Sequence, residues 1–311
     1  MSVLTLFSLS LLVAAPTETG LTVAAQPAPL HGTLLAPEGP ARAAALILPG
    51  SGPTDRDGNN PLGVASATYR KLAEGLAAQG VAVVRFDKRG VAQSAAAAPN
   101  EADFTFDDNV ADARLWIDET LARTGLRCVW LVGHSEGALV ALATARDDDP
   151  RICGLVLLSG AGRKAGDVLR EQLASAPLPP ELRTAAETAL SELEAGRTTE
   201  APPQLAALFR PSVQPYMISW LALDPAALAA AYHGPMMVAQ GSTDLQTTLA
   251  DAQALAAARP DVRLVVWDGV NHVLKTAPTD PAANVAVYRD PTLPLAPGVA
   301  EDVAGFILAP R

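Results

Sequence analysis

Short apolar runs alternate with longer amphipathic stretches along most of the chain. Six of these runs are rich in Val, Leu and Ala and end near a glycine or a charged residue: AAALILPG, VAVVRFD, VWLVG, GLVLLSG, PMMVAQG and VRLVVWDG. Because they are apolar throughout, they predict strands buried on both faces, as in a parallel sheet covered by helices. Ahead of them, residues 21–37 alternate apolar and polar positions and predict a strand pair that contains His31.

The stretches between these runs carry apolar residues at helical spacing. Five segments show this period: residues 69–76, 106–121, 138–145, 248–258 and 299–307. Thr105 precedes the second segment as a predicted N-cap, with Asp108 in the first turn. Strands and helices in alternation predict an α/β fold, in which a mostly parallel twisted sheet has helices on both faces.

One part of the chain breaks the alternation. Residues 161–216 contain helix-like patterns and several prolines but no strand-like run. We predict that this segment forms a helical cap inserted into a core made of residues 17–160 and 217–311. Ordinary crossover helices are the alternative.

The N-terminal residues show no role in this fold. Val3 to Ala15 is apolar, too short to span a membrane as a helix and about the length of a signal-peptide core, although no Lys or Arg precedes it. We therefore predict an export signal in residues 1–16 and a periplasmic or secreted protein. A frayed N-terminal segment and a cytoplasmic location are the alternative.

Composition excludes several function classes. The net charge of −10 and the absence of basic runs argue against a nucleic-acid partner. The two cysteines, Cys128 and Cys153, form no CxxC motif and lie at no zinc spacing, so no metal site is expected. Both precede apolar runs predicted to be neighbouring strands, so a disulfide is geometrically feasible, but buried free thiols are the favoured interpretation.

The segment VWLVGHSEGALVALA, residues 129–143, carries the strongest chemical signal. A serine between two glycines at the transition from a strand to a helix is typical of a strained turn that exposes the hydroxyl above the sheet edge. Gly133 and Gly137 remove the side chains that would collide with neighbouring elements. We predict that Ser135 is a nucleophile.

A serine nucleophile needs a histidine base and an orienting carboxylate. Of the four histidines, only His272 follows a predicted strand at the same edge as Ser135. Asp244 follows the preceding strand and is the favoured carboxylate. Asp268 is the rival, but it lies at the end of its own strand and could reach the histidine only by a tight backward turn.

The tetrahedral intermediate of such a reaction needs hydrogen-bond donors for its oxyanion. One predicted donor is the backbone N–H of Glu136, directly after the nucleophile. The other is the N–H of Ser51 in the loop LPGSGPTDRDGNN. A phosphate cradle is excluded there because no Gly-Lys-Ser/Thr follows.

Together, the GHSEG, QGSTD, GVNH and PGSGPTDRDGN segments resemble the α/β-hydrolase superfamily, near its bacterial serine aminopeptidase-like and dienelactone hydrolase-like members. The resemblance covers nearly all of residues 21–311. RFDKRGVAQS is also similar to a D-x-R-G-x-G-x-S loop of that superfamily, with Ala92 where glycine is usual. It implies structural roles for Asp87 and Arg89, which would tie loops together; contact with the substrate is the alternative.

Glu136 departs from many relatives, which carry an apolar residue after the nucleophile. We expect its carboxylate to cap the following helix, where negative charge is favourable. Contact with a cationic group of the substrate is the alternative.

The sequence therefore predicts a serine hydrolase that cleaves small carboxylic esters through an acyl-enzyme, without a cofactor. Met217, Trp220 and Leu221 near the predicted cap favour short to medium acyl chains. A serine peptidase or amidase of the same fold is the first alternative. A non-catalytic binding protein, and perhydrolysis on the same three residues, are weaker alternatives.

Overall fold

The computed structural model describes residues 16–310, and eight of its strands form one sheet. The strands are β1 (Thr17–Val23), β2 (Leu30–Ala36), β3 (Ala43–Leu48), β4 (Asn59–Asn60), β5 (Val64–Ala65), β6 (Val81–Phe86), β7 (Val129–His134), β8 (Ile152–Leu158), β9 (Met236–Gly241) and β10 (Arg263–Trp267). The sheet has the order β1-β2-β6-β3-β7-β8-β9-β10, and β4 pairs with β5 separately. In sheet order from β6 through β3 to β10, all neighbouring strands are parallel. β2 is antiparallel to both of its neighbours, β1 and β6.

Helices lie on both faces of this sheet. They are α1 (Thr68–Ala77), α2 (Phe106–Thr124), α3 (Glu136–Ala145), α4 (Ala165–Ser175), α5 (Pro180–Glu194), α6 (Ala206–Phe209), α7 (Gln214–Leu221), α8 (Pro225–Ala231), α9 (Leu249–Ala258), α10 (Pro281–Ala286) and α11 (Val299–Ile307). Successive residues of β3 point to opposite faces, so Leu46 packs in a core with Trp116 of α2 while Ile47 packs in a core with Leu72 of α1. This arrangement confirms the predicted fold class.

Two strands differ from their predicted form. The first strand begins at Thr17, because its pairing with β2 extends to Ala36. The last strand, β10, is not buried on both faces: Leu264 and Val266 are 38% and 51% exposed. Among residues 16–310, β10 pairs with β9 alone at the edge of the sheet, and no helix of that range covers the face with Leu264 and Val266.

The chain between β8 and β9 contains helices α4 to α8 and no strand. Helices α4 to α7 share a hydrophobic core of their own, which includes Leu190, Leu193 and Phe209. Residues 161–216 thus hold α4, α5, α6 and the start of α7, and α7 itself ends at Leu221. The assignment of this segment as a cap stays a prediction.

The predicted export signal, residues 1–16, lies outside the described residues except for Pro16. Within residues 16–310, none of the helices combines the length and the apolarity that a bilayer span requires.

Cys128 and Cys153 are joined by a disulfide, so the expectation of free thiols was wrong. Cys128 lies directly before β7 and Cys153 lies in β8. The pairing of these two strands holds the two Cα atoms 5.1 Å apart, within the range that a disulfide bridges.

We expect the double variant Cys128→Ser/Cys153→Ser to lose stability and to keep its chemistry. The bridge closes a loop with a sequence separation of 25 residues. Closing a loop of this length stabilises a protein by about 3 kcal/mol, because it restricts the unfolded chain. Urea unfolding of the oxidised wild type and the double variant measures the difference. Equal free energies of unfolding would contradict the expectation.

Candidate active site

Ser135 is the single residue between β7 and α3. Its backbone has φ 55° and ψ −120°, a conformation that residues with a side chain rarely adopt. The turn is held by a hydrogen bond of 2.9 Å from the Ser135 N–H to the carbonyl oxygen of Leu158 in the neighbouring strand. The strained turn predicted from the sequence is therefore present.

The two flanking glycines are required by close backbone contacts. A Cβ atom on Gly133 would lie 2.2 Å from the carbonyl oxygen of Gly137. A Cβ atom on Gly137 would lie 2.1 Å from the carbonyl oxygen of Leu48 at the end of β3. Backbone atoms cannot move away as a flexible side chain can, so any side chain at these positions would displace the turn that carries Ser135.

Asp244 and His272 meet at the same end of the sheet. Asp244 follows β9, His272 follows β10, and His272 Nδ1 lies 2.8 Å from Asp244 Oδ2. The second carboxylate oxygen of Asp244 accepts backbone hydrogen bonds from Gln246 and Thr247 at 2.8 and 3.1 Å. Burial would raise the pKa of this carboxyl, but the His272 ring and these hydrogen bonds outweigh burial and hold the pKa well below its usual range.

The charge state of Asp244 fixes the tautomer of a neutral His272. An ionised carboxylate can only accept hydrogen bonds, so the histidine proton lies on Nδ1. Nε2 then carries a lone pair, and it makes no hydrogen bond to residues 16–310. The rival carboxylate, Asp268, is exposed and accepts a hydrogen bond from Ser242 Oγ at 3.0 Å. The residue that contacts the histidine is therefore Asp244.

Ser135 and His272 line one small pocket of about 140 Å³. Its other walls come mainly from the loop after β3 and from α1, β5 and residues near the C-terminal end of the chain. The lining residues are Gly50, Ser51, Thr54, Gly58, Asn60, Val64, Ser66, Thr68, Tyr69, His134, Gln246, Val273 and Tyr288. Within the described part of the chain, Ser135 Oγ makes no hydrogen bond, so its hydroxyl proton is not committed to a competing acceptor.

The residues expected to form an apolar cap do not line this pocket. Met217 and Leu221 are buried in the separate core of the inserted helices, and Trp220 packs against that core. Their side chains pack against the core that the inserted helices form. Their position therefore gives no support for a preference among acyl chains, and that preference stays a prediction.

The two predicted oxyanion donors are free to act. Neither the Ser51 N–H nor the Glu136 N–H has a hydrogen-bond acceptor among residues 16–310. The loop after β3 lies directly against the nucleophile, since a Cβ on Gly50 would lie 3.2 Å from Ser135 Cβ. Both N–H groups thus belong to backbone that borders Ser135.

The Glu136 carboxylate does not cap α3 through a hydrogen bond. It forms a buried ion pair with Lys88 in the loop after β6, at 3.0 Å between Oε1 and Nζ. The side chains of Glu136 and Lys88 are only 4% and 8% exposed. The cation that Glu136 contacts belongs to the protein, and the sequence pattern did not indicate this pair.

Asp87 and Arg89, from the same loop, have structural roles as predicted. Asp87 accepts hydrogen bonds from the backbone and the guanidinium of Arg56. Arg89 pairs with Asp112 of α2 and donates to the carbonyl oxygen of Ala97. These contacts tie the loop after β6 to its neighbours.

His134 joins three parts of the site, a role that sequence reasoning missed. Its Nε2 lies 2.7 Å from the carbonyl oxygen of His272 and its Nδ1 lies 2.9 Å from Tyr69 Oη. Since a carbonyl can only accept, Nε2 donates and Nδ1 accepts from Tyr69. Tyr69 Oη in turn accepts from the Gly50 N–H at 2.8 Å. The nucleophile turn, the histidine loop and the loop after β3 are thereby linked by buried hydrogen bonds.

The remaining histidines lie away from the pocket. His31 is on β2, where its backbone N–H donates to Ser94 Oγ. His233 is exposed and its Nδ1 lies 2.9 Å from Asp148 Oδ2. Among residues 16–310, no group of three or more His, Cys, Asp or Glu side chains is arranged to hold a metal ion.

Because His134 is buried, we expect the protein to lose stability in mild acid. Burial, with the nearby His272 ring, lowers the pKa of His134 to about 3 from the usual 6.5. Below pH 6.5 the unfolded chain therefore binds a proton that the folded chain refuses, so this contribution is complete above pH 6.5 and is lost as pH falls towards 3. Between pH 7 and pH 5 the free energy of unfolding should fall by about 2 kcal/mol from this residue alone.

Urea unfolding of wild type and His134→Gln at the two pH values tests this. Between pH 7 and pH 5, we expect the free energy of unfolding of the variant to fall by about 2 kcal/mol less than that of wild type. The contribution of Asp244 to stability is lost only at lower pH, below its unfolded pKa near 4, because its folded pKa is depressed. An unchanged pH dependence in His134→Gln would contradict the assignment.

A family model described as serine aminopeptidase, S33, matches residues 62–277. A comparison with curated proteins found no match. Among solved structures, Est1E from Butyrivibrio proteoclasticus is 15% identical with a TM-score of 0.58, and the alignment covers 93% of this chain and 99% of that one. An esterase of Pyrococcus furiosus is 17% identical with a TM-score of 0.56, covering 83% and 85%.

A thioesterase domain from the curacin biosynthetic pathway is also similar, at 17% identity and a TM-score of 0.58. The alignment covers 94% of this chain and 100% of that domain. At such identities the structural likeness shows a shared fold.

Proposed function

Because the chain belongs to the serine aminopeptidase S33 family of the α/β-hydrolase superfamily, and is therefore a hydrolase, we propose that it cleaves carboxylic esters with short to medium acyl chains. Ser135, His272 and Asp244 would form the catalytic triad, and no cofactor would take part. The observation that carries this proposal is the 2.8 Å contact between His272 and Asp244 beside the pocket that holds Ser135.

The reaction would proceed in two half-reactions. His272 Nε2 accepts the Ser135 proton as the oxygen attacks the ester carbonyl, and the ionised Asp244 stabilises the resulting imidazolium. The imidazolium then protonates the leaving alcohol, which departs and leaves an acyl group on Ser135. Water attacks this acyl-enzyme with His272 as the base, and the acid is released.

The oxyanion formed in each half-reaction would be held by the Ser51 and Glu136 N–H groups. Losing one such donor typically raises the barrier by about 3 kcal/mol. The support for this assignment is that both N–H groups border Ser135 and have no other acceptor in the described part of the chain.

The composition of the pocket favours esters over N-terminal peptides. An aminopeptidase must hold the α-ammonium group of its substrate, and a carboxylate is the usual means. No described residue that lines the pocket is an aspartate or a glutamate. Two carboxylates of the site, on Asp244 and Glu136, are already paired with His272 and Lys88.

The size of the pocket supports a small acyl group. Its volume of about 140 Å³ is below the range of pockets that enclose drug-sized ligands. A more apolar groove formed by Pro53, Pro61 and Val91 adjoins it and shares Asn60 and Val64 with it. A longer chain on either side of the ester bond could extend along this groove.

The substrate test compares p-nitrophenyl acetate, butyrate, octanoate and palmitate with alanine and leucine p-nitroanilides. We expect hydrolysis of the short and medium esters, with kcat/KM lower for palmitate and lower still for both anilides. A kcat/KM on the anilides above that on every ester would favour the peptidase alternative, which the description of the family model supports. No turnover of any substrate would favour a non-catalytic protein.

We further propose that the protein is exported, with residues 1–16 as its signal. The disulfide between Cys128 and Cys153 supports an oxidising location, because such bonds persist mainly outside the cytosol. Expression of the full chain in a bacterial host, followed by mass measurement of the periplasmic and secreted fractions, tests this. Uncleaved protein confined to the cytoplasm would contradict it.

A further inference from the structure

Lys88 is a buried cation that the reaction scheme leaves without a role. It lies in the loop directly after β6, and its ammonium has two acceptors: the Gly50 carbonyl oxygen at 3.1 Å and Glu136 Oε1 at 3.0 Å. Its side chain is only 8% exposed. Burying a lysine is costly even when it is paired, so its position calls for an explanation beyond stability.

Each acceptor is covalently linked to one of the two N–H groups that would hold the oxyanion. The Gly50 carbonyl and the Ser51 N–H are two ends of the same peptide group. That peptide is trans, so its N–H points to the side opposite the carbonyl that Lys88 contacts. The second acceptor is the side chain of Glu136, whose own N–H is the other donor.

The preceding peptide group, between Pro49 and Gly50, is held as well. The Gly50 N–H donates to Tyr69 Oη at 2.8 Å, so both backbone polar groups of Gly50 are bound by buried side chains. With Tyr69 fixing one peptide plane, the contact with Lys88 restricts rotation of the next one. Rotation of that plane is the motion that would turn the Ser51 N–H away from the pocket.

We propose that Lys88 is a positioning residue for the oxyanion hole, aligning the Ser51 N–H through the Gly50 carbonyl and the Glu136 N–H through the ion pair. The inference rests on the proposed esterase function. A cation bound to the carbonyl also polarises the peptide and strengthens its N–H as a donor. Lys88 would thus act mainly on the transition state, where charge develops on the oxyanion, and little on the bound ester.

The test must separate positioning from stability. Lys88→Met alone leaves the buried Glu136 carboxylate without its cation, which is destabilising. The double variant Lys88→Met/Glu136→Gln removes both charges, and Glu136→Gln alone shows how much of any loss comes from the ion pair and how much from the contact of Lys88 with the Gly50 carbonyl. For each variant we would measure kcat and KM on p-nitrophenyl butyrate, the thermal midpoint, and the affinity for phenylboronic acid, which forms a tetrahedral adduct with an active-site serine.

We expect the double variant to recover most of the thermal midpoint lost in Lys88→Met while its kcat stays about 10- to 100-fold below wild type, somewhat less than the loss of a whole oxyanion donor. Its KM should change by less than about 3-fold, and its affinity for the boronic acid should fall in parallel with kcat. If Lys88→Met does not fold, the comparison is made between the double variant and wild type.

Wild-type kcat in a folded double variant would overturn the role of Lys88 and leave the esterase proposal intact. A double variant that does not fold, while Glu136→Gln folds, would assign Lys88 to stability and also overturn the inference. A wild-type protein that hydrolyses no ester and does not bind the boronic acid would overturn the proposed function, and the inference with it.

Discussion

Replacing Asp244 with asparagine should lower kcat on p-nitrophenyl butyrate by about 10⁴-fold and leave the fold intact. Asparagine keeps the size of the side chain and can still accept the backbone hydrogen bonds from Gln246 and Thr247. Its amide group, however, would donate to His272 Nδ1. The proton of a neutral ring would then lie on Nε2, where it blocks the acceptance of the Ser135 proton.

Asp268→Asn is the matched control. Asp268 is the other carboxylate close to His272 in sequence, but it is exposed and contacts Ser242. The control should retain kcat within about 2-fold of wild type, as exposed polar substitutions usually do. A large loss in Asp268→Asn together with an active Asp244→Asn would reverse the assignment of the acid.

Ser135→Ala should abolish ester hydrolysis to the level left by binding and the oxyanion donors. In serine hydrolases that use this chemistry, loss of the nucleophile lowers kcat by about 10⁶-fold. Alanine also has to adopt φ 55° in the turn, as serine already does, so the backbone demand on the two residues is similar. The thermal midpoint of the variant should therefore stay close to that of wild type.

Ser159→Ala is a stringent control for this variant. Ser159 follows β8, the strand next to β7, and it too has a positive φ, of 49°. Its hydroxyl is buried and has no hydrogen-bond partner in the described chain. Removal of this hydroxyl should leave kcat unchanged, because no residue in the range 16–310 accepts its proton and Ser159 does not line the pocket.

The parts of the site that could be predicted are those that follow strands of the parallel sheet. Ser135, Asp244 and His272 come after β7, β9 and β10. The carboxyl ends of parallel strands share one edge of the sheet, so sequence position alone brings such residues together. The capping box of α2, with Thr105 and Asp108, could likewise be predicted because it is local.

Contacts that depend on loop packing could not be predicted in the same way. Lys88 and Glu136 are 48 residues apart, and their pairing depends on how the loop after β6 folds against α3. The available signal was a lysine in the loop after a strand that ends at the same edge of the sheet as the strand before Ser135. The contacts of Tyr69 with His134 and Gly50 depend similarly on the placement of α1.

The pocket wall was misjudged for a related reason. Apolar side chains such as Met217 and Leu221 indicate burial but do not indicate which core receives them. The inserted helices form a core of their own, and the wall comes instead from the loop after β3 and from α1. The disulfide was misjudged because the chain alone fixes neither strand register nor oxidation state.

Covalent labelling of the serine nucleophile tests the central claim most directly. The folded wild type, Ser135→Ala and Ser159→Ala would be incubated with a fluorophosphonate and analysed by intact-protein and peptide mass spectrometry. We expect one adduct on wild type and on Ser159→Ala, located at Ser135, and none on Ser135→Ala. An unlabelled wild type, or equal labelling of Ser135→Ala, would contradict it.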